Sequence, residues 1–313
     1  MAGSLVIVNP NASKSRDGDR RRALVEKLNG VLTRRDGTAP RIVETRAQDE
    51  TRPAVDAALA EGVGMVVGVG GDGTLRDIAA SLSGTGVPLG VIPAGTANQL
   101  ADVLGVPSSL EKAAAALETA GPRTIDLGEV TLRLVGEPES TTIMTIGCGA
   151  GLDARIMATT PSEWKQRVGR WAYLVQGLKL VARLDAAPYR LTLDGRTIET
   201  EASIALVGNM GRLLPGIMDL RLPIVPDDGQ LDLIVVGARG PIQGIRVLAD
   251  QLRRTSLGGG SGSDSLRLRG REITIEADGP LPLEVDGDYV GEGSLLARVM
   301  PGALDVMVPA DPS

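Results

Sequence analysis

The sequence predicts a Rossmann-like α/β domain followed by an antiparallel β-sandwich domain, and three observations carry that prediction. Over the first 125 residues, short β-branched runs alternate with amphipathic helical stretches, the mark of a parallel sheet covered by helices. Beyond them the texture changes to closely spaced strands and turns, which suits a sandwich or barrel. The length of 313 residues also exceeds the usual size of one domain. The expected boundaries are 1–125, completed by a C-terminal strand within 300–313, and 126–299.

In chain order, SLVIVNP reads as a strand and DRRRALVEKLNGVL as its helix. PRIVET with RPAVDAALAEG repeats the pair, as do GMVVGVG with TLRDIAASLS and VPLGVIP with TANQLADVLGV. The β domain offers TTIMTIGCG, YRLTLDG, ASIALVGN, LDLIVVG, EITIEAD and LPLEVDGD. A helix near Trp164 to Leu184 interrupts them, TSLGGGSGSDS reads as a flexible surface loop, and GALDVMVPA as a strand returning to either domain.

Composition removes several function classes. A net charge of -6 gives no global pull toward nucleic acid. The apolar run at the N-terminus is too short for a signal peptide or a spanning helix, so a soluble cytoplasmic protein is expected. A single cysteine, Cys148, rules out an internal disulfide and any cysteine-cluster metal site. Histidine is absent, which removes Ser-His triads, HExxH zinc sites and histidine bases. Proton transfer then falls to Asp, Glu, Lys or Tyr. With aromatics at 2% and no Phe, the core is built from Leu, Val, Ile and Ala.

The stretch VVGVGGDGTLRDIAASL, Val66 to Leu82, places a glycine turn between a strand and a helix. Glycines remove the Cβ atoms that block a bound anion, and a helix start offers N–H donors. Gly68-x-Gly70-x-x-Gly73 fits the dinucleotide fingerprint in letters, but it follows the third strand and no acidic residue lies between Asp77 and Asp102 to bind a ribose. A P-loop also fails, because no lysine separates Gly73 from Thr74. What remains is Gly70-Gly71-Asp72-Gly73-Thr74 and, about twenty residues on, a second strand-end loop, IPAGTANQL. Two such loops at neighbouring strand ends can cradle one nucleotide from both sides.

In these residues the chain resembles the diacylglycerol kinase, sphingosine kinase and bacterial lipid kinase family. The GGDGT signature is shared with NAD kinases and phosphofructokinases and alone indicates phosphoryl transfer. NPNAS (Asn9 to Ser13), Pro93 to Asn98, GLDA (Gly151 to Ala154), PDDGQLDL (Pro226 to Leu233), EVDGDYVG and MPGALDVMVP narrow it, in similar order and spacing from end to end. The resemblance implies a nucleotide-binding α/β domain, a lipid-substrate β domain and an active site in the cleft between them. It implies ATP and Mg²⁺ as cofactors, an alcohol acceptor such as diacylglycerol, and a place in phospholipid biosynthesis. The alternatives are an NAD or sugar kinase of the same superfamily, and a non-catalytic lipid- or nucleotide-binding regulatory module.

By that resemblance Gly70, Gly71, Asp72, Gly73 and Thr74, with Thr96 and Asn98, hold the nucleotide phosphates, Asn9 lies in the same cleft, and Thr45 reaches the adenosine. Asp72 would meet ATP through Mg²⁺, because a bare carboxylate repels phosphate. A turn aspartate bonded to its own backbone and two threonine N-caps describe the same residues without chemistry. Asp288 is the implied base for the acceptor hydroxyl, with Asp286 beside it, and a type I′ hairpin turn is the plain alternative. Asp228, Leu231 and Leu233 are the implied holders of a structural Mg²⁺, where a turn into a strand would also suffice. Two positions depart from the family: Gln99 stands where Asp is usual, and Asp288 where Glu is usual.

Residues 164–183 carry Trp164, Val168, Trp171, Val175 and Leu178 at helical spacing, with Lys165, Arg167, Arg170, Lys179 and Arg183 and no acid. Such a helix suits a peripheral contact with anionic lipid at the inner membrane surface, or simply packs on a sheet. The expected partners are a lipid substrate at that surface and no nucleic acid. The oligomeric state is left open, a homodimer included.

Overall fold

The computed structural model describes residues 3–151, 186–213, 220–221, 224–237 and 265–310. The chain divides into two compact units, Met1–Leu127 with Gly302–Ser313, and Gly128–Pro301.

In the first unit, β1 (Ser4–Val8), α1 (Gly18–Asp36), β2 (Arg41–Glu44), α2 (Thr51–Ala60), β3 (Met65–Gly70), α3 (Asp72–Leu82), β4 (Leu89–Pro93), α4 (Gln99–Val103) and α5 (Leu110–Ala116) follow one another. The strands β2, β1, β3 and β4 lie in that order and pair in parallel. Every residue of β1, β3 and β4 is buried, as expected of parallel strands covered on both faces. Helix α1 starts where the Asp17 carboxylate accepts from the Asp19 and Arg20 N–H groups, and ends at Gly37 with φ 77°. Those are a side-chain N-cap and a left-handed C-cap. Its buried residues Leu24, Leu28, Val31 and Leu32 recur at helical spacing.

Two helices differ from the sequence pattern. The stretch TANQLADVLGV yields only the short α4, because Asn98 adopts φ 49° before it and Gly105 takes φ 70° after it. Helix α5, whose Ser109 hydroxyl accepts from Lys112 N, lies in an alanine-rich stretch with little apolar contrast.

The second unit holds most of β5 (Gly121–Leu134), then β6 (Ser140–Met144), β7 (Gly147–Gly151), β8 (Ala187–Leu193), β9 (Arg196–Ala202) and β10 (Ile204–Gly208). It continues with the small pair β11 (Arg212–Leu213) and β12 (Leu220–Arg221), β13 (Leu231–Val236), β14 (Ser265–Gly270), β15 (Glu272–Ala277), β16 (Leu281–Val285) and the long β17 (Asp288–Val308). One run of neighbours is β14-β13-β10-β7-β16-β17. Strand β17 pairs with β16 over residues 288–293 and with β15 over 295–298, so it leads into a second run, β15-β8-β9. The sandwich core joins Leu191, Ile273 and Ile275 from one run to Cys148, Val207 and Leu233 from the other.

The C-terminal end of β17 passes into the first unit, where Val306 pairs in parallel with Leu89 of β4. This is the returning strand read from GALDVMVPA. The single strand read from TTIMTIGCG is two, broken at Thr145 and Ile146. Strand β9 went unread because RTIETEA is polar; it forms a hairpin with β8 through Asp194 and Gly195, at φ 48° and 80°. The basic segment 164–183 and most of TSLGGGSGSDS lie outside the described residues.

Burial pushes the Cys148 thiol well above its ordinary pKa, and the nearby Glu284 and Asp286 carboxylates push it the same way. Native protein at about pH 8 is therefore expected to resist iodoacetamide while urea-unfolded protein is alkylated, as read by intact-mass spectrometry. Rapid native labelling would show that β7 opens readily.

Candidate active site

The loops that follow β1, β2, β3 and β4 all leave the carboxyl ends of parallel strands, where open α/β sheets bind ligands. Gly71 precedes α3 in an extended conformation, and no side chain caps that helix start. Its first N–H donors are thus offered by backbone alone. A Cβ on Gly70 would stand 2.5 Å from Thr74 Cβ, so only glycine lets the turn fold back onto the helix.

The second loop touches the first. A Cβ on Gly95 would fall 2.5 Å from Gly71 Cα, and the N–H groups of Ala94 and Gly95 both donate to Gly70 O, at 2.8 and 3.2 Å. Asn98 closes this loop by accepting from Gly95 N and donating to Gly95 O, both at 2.8 Å. Asp72 reaches across, its Oδ1 accepting from Leu100 N at 3.2 Å. Asp72 and the loop carrying Thr96 therefore share one place, and Thr96 is exposed there.

Asn9 joins them. Its N–H donates to Val69 O at 2.9 Å, and its Nδ2 donates to Thr74 Oγ1 at 3.0 Å. Thr45 continues the β2 end by donating its N–H to Val8 O, but its side chain is buried and accepts from Thr51 Oγ1 at 3.4 Å. Gln99 is buried at the start of α4.

Sequence reasoning passed over Lys14. The loop after β1 is bound to the residue before Gly95, with Ser13 Oγ and Lys14 N both donating to Ala94 O, at 3.1 and 2.9 Å. Lys14 Nζ donates to Ser108 O at 2.8 Å, and burial lowers its pKa. The signal available was its place in the polar run directly after the first strand. Arg76 and Asp77, buried on α3, were also passed over; Asp77 faces Arg52 at 3.6 Å.

In the second unit, Asp286 and Gly287 form the two-residue turn between β16 and β17, with φ 49° and 85°. Both values are positive, as a type I′ turn requires. The Asp286 carboxylate is buried and accepts from Thr145 N, Thr145 Oγ1, Ile146 N and Gly147 N at 2.8 to 3.0 Å. It thereby fills the gap between β6 and β7. The turn is tightened from below, where Gly287 N donates to Glu284 Oε2 at 2.8 Å. Asp288 follows at once and is exposed.

The residues expected to hold a structural Mg²⁺ are arranged otherwise. Asp228 Oδ1 accepts from Gln230 N at 3.1 Å and Oδ2 pairs with the Arg269 guanidinium. Leu233 sits in β13 between Val207 of β10 and Leu268 of β14, and Leu231 lies opposite Gly270. Backbone groups in such ladders are turned toward neighbouring strands. Among the described residues no group of three acidic, Cys or His side chains converges as a metal site. Asp228 itself is engaged by Gln230 N and the Arg269 guanidinium. Asp72, on a turn with a neighbouring glycine loop, does fit an ion that needs one or two carboxylates and phosphate oxygens.

Residues 3–130 match the diacylglycerol kinase catalytic domain, and residues 147–308 match the YegS C-terminal NAD kinase beta sandwich-like domain. A "Probable lipid kinase YegS-like" from Pseudomonas savastanoi pv. phaseolicola is 34% identical over 267 residues, covering 84% of this chain and 81% of that one. The chain belongs to the diacylglycerol kinase and bacterial lipid kinase family. A relative of the same description from Pseudomonas aeruginosa is 36% identical over 83% of this chain and 82% of its own. A diacylglycerol kinase structure from Bacillus anthracis str. Sterne shares the fold, with TM-score 0.69, 21% identity and coverage of 98% and 96%. Yeast NADH kinase shares it more distantly, at TM-score 0.51 and 12% identity, covering 99% of this chain and 84% of its own. Membership makes this lipid kinase family chain a phosphotransferase with an alcohol acceptor.

Gly95→Ala is expected to lower stability by ~1–3 kcal/mol, because the added methyl meets backbone that cannot rotate away. Urea denaturation reads this directly, and an unchanged midpoint would show that the two loops separate at no cost.

Proposed function

We propose that the chain transfers the γ-phosphoryl group of ATP to the hydroxyl of diacylglycerol or a closely related lipid. The observation that carries this reading is the meeting of two glycine loops at the strand ends, with Asp72 bonded across them to Leu100 N.

In this reading the first unit binds the nucleotide and the apolar strands of the second receive the acceptor. The Gly71 and Gly73 amides and the Thr74 and Thr96 hydroxyls face the phosphates, with Gly70 and Asn98 shaping the loops. Since Asn9 Nδ2 donates to Thr74 Oγ1, the threonine keeps its own O–H for a phosphate oxygen. Thr45 borders the adenosine. Asp72 would hold Mg²⁺, which would supply neutralisation of phosphate charge.

Asp288 takes the acceptor's proton. Asp286 is unsuited to that step, because protonating it would disrupt the four hydrogen bonds that close the strand gap. Its part is to hold the turn that presents Asp288. With little covalent work to do, the protein's contribution is positioning and charge neutralisation.

Incubation with labelled ATP and a panel of lipids, sugars and NAD, resolved by mass spectrometry, tests the reading. Label is expected on a lipid hydroxyl. Asp72→Ala should reduce turnover by about 10³-fold, and Asp288→Asn should lower kcat by roughly 10²–10⁴-fold with nucleotide affinity kept. Label on NAD or a sugar overturns the acceptor, and ATP binding with no labelled product identifies a non-catalytic module.

A further inference from the structure

The turn before β13 carries Asp227 and Asp228, β13 itself carries Asp232, and β14 beside it carries two arginines at alternate positions, Arg267 and Arg269. Alternation places both arginines on one face of β14, and the register sets Asp232 opposite Arg269. The Asp232 side chain is almost wholly buried, at 1% exposure. Arg267 Nε lies 2.6 Å from its Oδ1, and Arg269 Nε lies 3.7 Å from its Oδ2. The other arm of the same Arg269 guanidinium pairs with Asp228 Oδ2.

Arg269 thus lies between both carboxylates, paired with Asp228 through a terminal nitrogen and within ion-pair distance of Asp232 Oδ2, a buried oxygen that has no hydrogen-bond partner. A planar guanidinium is built for that bridging, and a lysine ammonium is not. The Asp228 and Asp232 carboxylates meet two guanidinium groups, with the exposed Asp227 alongside them. A divalent ion at Asp228 would have to displace this fork or sit beside it against its repulsion.

We infer that Arg269 serves as a built-in counter-ion for the Asp228–Asp232 pair, in the place where the family resemblance puts a structural divalent cation. The turn leading into β13 then holds its shape without a metal. The inference concerns the stability of the second unit and is independent of which lipid is phosphorylated.

Thermal unfolding in EDTA and in millimolar MgCl₂, without nucleotide, tests it. The wild-type Tm is expected to agree in the two buffers within about 1 °C. Arg269→Gln leaves two acids facing one arginine, so its Tm in EDTA should fall by roughly 6 °C or more and recover in part when Mg²⁺ is added. Arg269→Lys, which keeps the charge without the fork, should fall less and serves where the glutamine variant does not fold. A wild-type Tm that drops by several degrees on chelation, with that response removed in Asp228→Asn, overturns the inference. So does an Arg269→Gln protein with an unchanged Tm.

Discussion

The candidate nucleotide loops depend on one steric fact: the backbones at Gly71 and Gly95 stand closer than a Cβ at Gly95 would allow. Other contacts between the loops gather around that one. It lets Ala94 and Gly95 share the Gly70 carbonyl and brings Leu100 N within reach of Asp72. It also sets the loop after β1 against Ala94, so Asn9, Ser13 and Lys14 join the same cluster. A binding surface made of backbone amides has little conformational entropy left to lose when an anion arrives.

A chain with no histidine must separate the work of its carboxylates by environment. The hairpin between β16 and β17 does so over three residues. Asp286 is turned inward onto four donors and acts as a structural pin, while Asp288 stands at the surface. Identical side chains two positions apart thus take opposite environments, because a left-handed turn sends one into the sandwich and the strand beyond it carries the other out. Asp288 has a side chain one methylene shorter than Glu and follows directly on the pinned turn.

Charge compensation in the second unit follows the same economy. The acids at Asp228 and Asp232 are met by arginines from the neighbouring strand, so the partners come with the sheet register. Among the described residues no helix is long and apolar enough to cross a membrane. The apolar sides of the second unit's strands pack into a core of their own.

Much of this was legible in the sequence. Fully buried parallel strands have to read as continuous apolar runs, so β1, β3 and β4 announced themselves, and Asp286-Gly287 marked its hairpin turn. The glycines of both loops were visible as the residues that a phosphate cradle requires. Polar β9 and alanine-rich α5 were not legible, since neither carries the apolar contrast that reveals a period. By itself, then, the sequence determined the two kinds of domain, the order of the four strand-helix pairs of the first and the glycine loops, because local pattern and backbone freedom are properties of short segments. Only the tertiary structure decided that Asp286 closes the break between β6 and β7, that Lys14 joins the loops, and that Arg269 answers Asp228. Those partners lie tens of residues or more apart, and only sheet register and loop contact bring them together.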